Sequence, residues 1–259
     1  MIESHLKPFV AACLSGLLLW TSQAVADDAQ ADLIGPSLSV AWNVGAQTDY
    51  IYRGISQTGR NGSVFGGGDL SYGDYYLGAW ASNVDLTGAA SPDAEVDVYG
   101  GWRHSLAGVA IDLGLQQYAY VNTPSHMRAQ YAEAYLKASR SIGPISGGLS
   151  FSYSPKFRDL ASTAPGKVND ETYVELNGAY ALDRKLSISG AIGHVAVSLN
   201  TPTGSAPKFT DYTTWNLGAA YAITDRLGLD LRYTDADASA LFGEKYAGGR
   251  WVAQLKASF

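Results

Sequence analysis

The sequence predicts an all-β fold, a closed antiparallel transmembrane β-barrel of about twelve strands with short periplasmic turns and long extracellular loops. Three observations predict it. From residue 38 to the C-terminus, segment after segment alternates apolar and polar side chains. The connections between these segments alternate short and long. The chain opens on an export signal, yet no later stretch approaches the length of apolar run that a transmembrane helix needs.

Taken in order, residues 1–26 form a secretory signal peptide. Lys7 supplies the positive start, Phe9 to Trp20 the apolar run, and Ala24-Val25-Ala26 the small-residue cleavage site, with the cut after Ala26. The lone cysteine, Cys13, is removed with it, so the exported chain has no disulfide. Residues 27–36 are small and acidic and are expected to form a flexible tail; residues 37–259 form the barrel.

The first strand carries Leu38, Val40, Trp42, Val44 and Ala46 on one face and Ser39, Asn43 and Gln47 on the other. Successive strand residues point to opposite faces. If that phase continues, Tyr50 and Tyr52 stay on the apolar face, while Asp49 and Arg53 stay on the polar one. Strands over 64–72 and 75–84 follow across the Gly73-Asp74 turn. The facing of the second of these is ambiguous, since both its phases are apolar.

Later segments are clearer. Val96 and Val98 alternate with Glu95 and Asp97, Leu113 and Leu115 with Asp112, and Ala134 and Leu136 with Glu133 and Lys137. Val174 and Leu176 alternate with Glu175, Leu229 and Leu231 with Asp230 and Arg232, and Leu255 and Ala257 with Lys256. Short turns are expected near residues 73–74, 103–108, 140–144, 181–185 and 222–226, and long loops near 53–62, 84–93, 122–129, 155–170, 196–211 and 235–249. Tyr180-Ala-Leu-Asp-Arg-Lys-Leu186 echoes Tyr221-Ala-Ile-Thr-Asp-Arg-Leu227. Both are read as hairpins whose strand ends on an aromatic residue before a polar turn.

Lipid offers no hydrogen bonds, so a sheet crosses it only by closing on itself with its apolar face outward. A lysine or arginine on the lipid face at mid-bilayer costs about 2–4 kcal/mol. The charged face must therefore line the lumen, which assigns Glu95, Asp97, Asp112, Glu133, Lys137, Glu175, Asp230, Arg232 and Lys256 to the interior, along with Asp49 and Arg53. Aromatic rings favour the headgroup level. Tyr72, Trp102, Tyr180, Tyr221 and Phe259 fall beside short turns or the C-terminus, and Tyr50, Tyr52, Tyr153 and Tyr233 beside long loops, so these form the expected girdles. A secreted soluble barrel or sandwich shows the same alternation with the apolar face inside. The alternating loop lengths and the girdle positions weigh against it.

Residues 40–84 also carry a family signature. Asn43-Val44, Thr48-Asp49-Tyr50, Arg53-Gly54-Ile55-Ser56-Gln57-Thr58, Gly67-Gly68 and Tyr76-x-Gly78-x-Trp80-x-Ser82-Asn83-Val84 resemble a proteobacterial family of conserved hypothetical proteins known as the TorF family and taken to be porins. The resemblance implies an outer-membrane location and a pore, with no established substrate and no catalytic residue. Phe259 resembles the aromatic C-terminal signal by which the barrel-assembly machinery engages the last strand.

The formal net charge of −6 argues against a nucleic-acid partner. The expected partners are membrane lipid and small hydrophilic solutes, with self-association open. No pair of the four histidines has metal-ligand spacing, and no cofactor is expected. A hydrolase site built on His126 or His194 lacks an identifiable partner residue.

Within the lumen, Glu95, Asp97, Asp112 and Glu133 fall on consecutive strands and are expected to form an acidic wall, with Arg232, Arg250 and Lys256 as a basic one across the pore. Opposed walls would orient dipolar solutes. The blander alternative is that these charges pair and fill a narrow lumen. Barrels of this size fall between filled eight-stranded and open sixteen-stranded ones. For Arg53 the alternatives are a pore role and a structural tie between loop and wall.

Overall fold

Each alternating segment is a strand in the computed structural model, which describes residues 37–86, 91–123, 130–157, 169–198 and 211–259. In chain order these are β1 (Leu38–Gln47), β2 (Ile51–Tyr52), β3 (Ile55–Ser56), β4 (Ser63–Tyr72), β5 (Tyr75–Asn83), β6 (Ala94–Leu106) and β7 (Val109–Val121). There follow β8 (Tyr131–Ile142), β9 (Ile145–Phe157), β10 (Asn169–Ala181), β11 (Leu186–Ser198), β12 (Tyr212–Ala222) and β13 (Leu227–Ala236). Two short helices, α1 (Ser239–Phe242) and α2 (Glu244–Ala247), precede β14 (Arg250–Ser258). The signal peptide, the tail and His126 lie outside the described residues.

Twelve strands close into one antiparallel barrel in which, apart from the closing β1–β14 pair and the small β2–β3 hairpin inserted between β1 and β4, neighbours in space are neighbours in sequence. Closure leaves no edge of unpaired backbone groups. The seam joins β1 to β14 from Asn43 opposite Ser258 to Gln47 opposite Gln254. It is finished by Phe259, which exchanges both backbone hydrogen bonds with Trp42 at 2.9 and 3.1 Å while the two rings stack 4.0 Å apart.

The outer wall is apolar throughout its middle: Val40, Leu115, Leu149, Leu176 and Leu217 all stand exposed on it. The interior holds the buried polar and charged residues, with tyrosines such as Tyr99, Tyr118 and Tyr135 among them. A soluble sandwich would have the reverse polarity. The ambiguous strand, β5, turns Tyr76, Gly78 and Ser82 inward.

The two echoing turns are built alike. Asp183 Oδ1 accepts the backbone N–H groups of Lys185 and Leu186 at 2.6 and 2.8 Å. Thr224 Oγ1, in the matching position, accepts those of Arg226 and Leu227 at 3.2 and 3.0 Å. The carboxylate of Asp183 is held below the usual range by those two backbone donors. The turn expected over 103–108 is shorter than anticipated. Strand β6 runs on to Leu106, and only Ala107 and Gly108, both at positive φ, connect it to β7.

Candidate functional site

The first long connection does not stay outside the barrel. Strand β1 ends at Gln47, and Thr48 is still tied to the seam through its backbone N–H to the Ala253 carbonyl at 2.9 Å. The chain then turns inward at Asp49. The Asp49 carboxylate accepts Ser56 Oγ at 2.6 Å and Thr58 Oγ1 at 2.8 Å. Gln57 N–H donates to the Tyr50 carbonyl at 2.6 Å, so Asp49 to Thr58 forms a closed hairpin. At its tip Arg53 and Gly54 both have positive φ, +48° and +79°. That is the pattern of a primed two-residue turn, in which glycine at the second position is favoured. A Cβ at Gly54 would overlap Thr214 Oγ1 and lie 2.9 Å from Ala236 Cβ, so the tip rests directly on β12 and β13.

This corrects the expectation for Tyr50 and Tyr52. Neither belongs to a lipid-facing girdle; both are inside the barrel mouth. Alternation fixes facing only while a strand stays in its ladder, and β1 has left the ladder before Tyr50 is reached. Asp49 and Arg53 are in the lumen, as residues of the hairpin rather than of the wall.

The hairpin is anchored on several sides. Tyr50 Oη donates to Glu95 Oε1 on β6 at 2.7 Å, and Tyr52 Oη to Tyr118 Oη on β7 at 3.1 Å. Arg53 Nη2 meets Glu133 Oε2 on β8 at 2.5 Å, and its Nη1 pairs with Glu171 Oε1 on β10. The same guanidinium lies over two rings, 4.8 Å from the centre of Tyr52 and 4.5 Å from that of Tyr173. Arg53, Glu133 and Glu171 are each no more than 5% exposed, so their charges meet out of bulk water. At the base, Arg250 Nη1 reaches Asp49 Oδ2 at 3.0 Å. Ile55 joins an apolar cluster with Val195, Tyr212, Ala236, Ala238 and Ala247, onto which Phe242 and Tyr246 of α1 and α2 also pack. Arg60 Nη2 and Nε donate to the carbonyls of Glu244 and Lys245 at 2.6 and 3.1 Å, tying the first long connection to the last.

Away from the hairpin the lumen is divided. On the β5–β8 side it is filled by a polar and aromatic network. Tyr76 Oη donates to Asp112 Oδ1 at 2.6 Å and shares a hydrogen bond with Tyr135 Oη, while Arg103 Nε donates to Asp112 Oδ2 at 3.1 Å. The Arg103 guanidinium lies 3.8 Å over the Tyr76 ring and Lys137 Nζ 4.7 Å over that of Tyr135. Beneath the hairpin a cavity of about 90 Å³ remains, lined by Tyr50 and Gly54 of the hairpin and by Phe65, Trp80, Glu175, Asn216 and Arg232 of the wall. Such a space holds several waters.

Every charged wall residue assigned to the lumen has an inward position: Glu95, Asp97, Asp112, Glu133, Lys137, Glu175, Asp230, Arg232 and Lys256. Their grouping differs from the expected opposition of an acidic and a basic wall. Strand β13, which carries Arg232, does lie directly across the barrel from β7. But Arg232 spends its donors locally, on Asp230 at 3.0 and 3.2 Å, on Asn216 at 2.5 Å and on Ser189 at 3.0 Å. Arg103 likewise neutralises Asp112 within the acidic wall. With Asp49, Asp69 and Glu171 on one side of the count and Arg53, Arg103 and Arg250 on the other, the described interior holds nine carboxylates against six cations.

Among the remaining girdle residues, Tyr72, Tyr153, Tyr180, Tyr221 and Phe259 are exposed on the outer wall. Trp102 and Tyr233 share its outward phase, Tyr233 packing between Trp215 and Trp251 with ring centres 5.5 Å from each. His194 is also exposed, on the outward phase of β11, and its Nδ1 lies 3.2 Å from Thr213 Oγ1. No acidic partner joins it among the described residues.

Glu171, Tyr118 and Arg103 join the lumen although none is among the residues that the alternation assigns to it. Glu171 and Tyr118 lie two residues beyond inward positions in the same strands, so extending the alternation to the strand ends would have found both. Arg103 falls in the expected 103–108 turn, whereas β6 carries it as a strand residue. The inward hairpin itself leaves one signal, a β-rich Ile51-Tyr52 and Ile55-Ser56 on either side of Arg53-Gly54.

A closed twelve-stranded barrel with an apolar exterior and a charged, hairpin-crossed interior has the architecture of an outer-membrane porin. Solved structures share that fold: the NanC porin, at 10% identity and a TM-score of 0.55 over 85% of this chain and 99% of its own, and the KdgM porin in complex with disordered oligogalacturonate, at 8% identity and 0.52 over 86% and 99%. The chain belongs to the Gcw_chp family, described as a bacterial protein of unknown function, whose profile matches residues 32–259. That match does not carry the TorF name of the resemblance noted above. No curated protein matches.

Proposed function

We propose that the protein is an outer-membrane channel for passive diffusion of small hydrophilic solutes, narrowed at its outer mouth by the Asp49–Thr58 hairpin. The long loops then face the exterior and the short turns the periplasm. The C-terminal strand, ending in Phe259, is the segment that the assembly machinery would engage. The observation that carries this reading is the incomplete filling of the lumen. A purely structural barrel would pack its interior throughout. Here a polar and aromatic network fills one part, while a cavity persists under the hairpin, with Asp69, Glu175 and Arg232 among its lining residues.

The test is electrical. Folded protein in planar bilayers should show unitary currents, larger and noisier when the hairpin is loosened by Arg250→Ala. Silence from both folded proteins would refute a channel.

A second reading draws on the hairpin's many anchors. A barrel held shut at rest would act through its external loops instead. Currents in the loosened variant alone would mean a channel closed at rest; currents in both, an open one.

A further inference from the structure

The place where Arg53 sits is built like a receptor site for a planar cation. Two carboxylates from different strands, Glu133 of β8 and Glu171 of β10, take different nitrogens of one guanidinium. The ring of Tyr173 covers its face at 4.5 Å, and the Tyr173 hydroxyl is itself fixed by donation to Glu175 Oε2 at 2.7 Å. Glu133, Glu171 and Tyr173 all belong to the wall; Arg53 and Tyr52 come from the hairpin. The cation is therefore delivered by a loop to a site that the barrel makes by itself. Arginine is the side chain suited to such a fork-and-stack arrangement.

The surroundings reinforce the preference. Glu95 and Asp97 stand on β6, two strands from β8, and Asp97 Oδ1 is buried and receives no hydrogen bond among the described residues. Withdrawing Arg53 would take from Glu133 and Glu171 the guanidinium they share, and removing one member of a buried ion pair is strongly disfavoured. A planar cation of the same kind restores both contacts.

We propose that the Glu133–Glu171–Tyr173 site binds solutes bearing a guanidinium group, and that Arg53 is a tethered occupant which such solutes replace as they pass. The proposal rests on the channel reading above and gives it a solute class. Primary ammonium ions fit less well, since they lack the planar face and the paired N–H edge. Anionic sugars do not fit.

The test measures binding and current separately. Wild type, Arg53→Ala and Arg53→Ala with Glu133→Gln and Glu171→Gln are folded in detergent, with folding checked by heat-modified gel mobility, and titrated calorimetrically with methylguanidinium. Arg53→Gln, which keeps the length of the side chain, replaces Arg53→Ala throughout should the latter not fold. The single variant should bind at least tenfold more tightly than wild type, and the triple variant should lose that gain. Equal binding by wild type and the single variant overturns the proposal, as does undiminished binding by the triple variant. The same ligand should reduce the current through Arg53→Ala in planar bilayers. Binding with a silent bilayer supports the site and sinks the channel reading; current without binding does the reverse.

Discussion

Asp49 and Arg250 lie 201 residues apart and meet at 3.0 Å at the mouth of the barrel, where the first strand has just left the seam and the last is about to enter it. The pair does two jobs. It holds the base of the inward hairpin, because Asp49 also receives Ser56 and Thr58. It also orders the last connection, because Arg250 donates to the carbonyl of Gly248 at 2.6 and 2.8 Å and to that of Lys245 at 3.2 Å.

Replacing Arg250 by Ala should therefore free the hairpin without opening the barrel. Breaking one partner of a buried pair typically costs about 3–5 kcal/mol, because it strands the other charge. Asp49 keeps its two hydroxyl donors, so the lower end of that range is expected. The measurement is hydrogen exchange: amides of residues 50–58 should lose protection while those of β8 and β9 keep theirs. Uniform loss across the barrel would mean that the pair supports the whole fold.

Gly54→Val tests the tip rather than the base. The new side chain would sit at φ +79° and drive into Thr214 and Ala236. A β-branched residue at positive φ costs roughly 1–2 kcal/mol before any overlap is counted. The hairpin should be displaced from β12 and β13, giving frequent transitions between conductance levels in single-channel records. Steady currents like those of wild type would show that the tip tolerates a side chain and that the contact does not set the hairpin's position.

The two echoing turns make a pH experiment with a built-in control. Asp183 and Thr224 accept the same pair of backbone N–H groups, but only Asp183 titrates. Its folded-state pKa is depressed by those donors. The stabilisation is therefore present above the ordinary carboxylate pKa and is lost as pH falls through the depressed value. Protection of the Lys185 and Leu186 amides should drop across that acidic window, while protection of Arg226 and Leu227 should not. Parallel behaviour of both turns would show that the carboxylate is not what holds the first one.

Much of this architecture was legible in the residues because a closed wall with an apolar outer face imposes a strict rule. Glu95, Asp97, Glu133 and Arg232 must then face inward, so the phase of their strands is fixed by a charge. What stayed hidden follows a different physics. Nothing in the alternation through Val44 and Ala46 says that the ladder ends at Gln47 and that Tyr50 goes inward. That outcome depends on contacts with Glu95, Thr214 and Arg250, which belong to distant strands. Local charge pairing was hidden for the same reason. Arg103 neutralises Asp112 only because β6 and β7 place them in register, opposite each other.

The polarity of the wall can be tested at two positions of one kind of change. Leu115 lies at the middle of β7 and is 67% exposed on the outer face. Leu115→Arg puts a charge where the hydrocarbon would be and should cost about 2–4 kcal/mol in urea unfolding from lipid vesicles. Ser146 of β9 points inward near the short-turn end. There Ser146→Arg adds the same charge to a watered interior that already holds more carboxylates than cations, and the loss should stay within about 0.5 kcal/mol. If the inward substitution proved the more damaging, the barrel would be a soluble one turned inside out, and both the lumen and the channel would go with it. The comparison needs no ligand and no current, so it tests the facing of the strands separately from what passes between them.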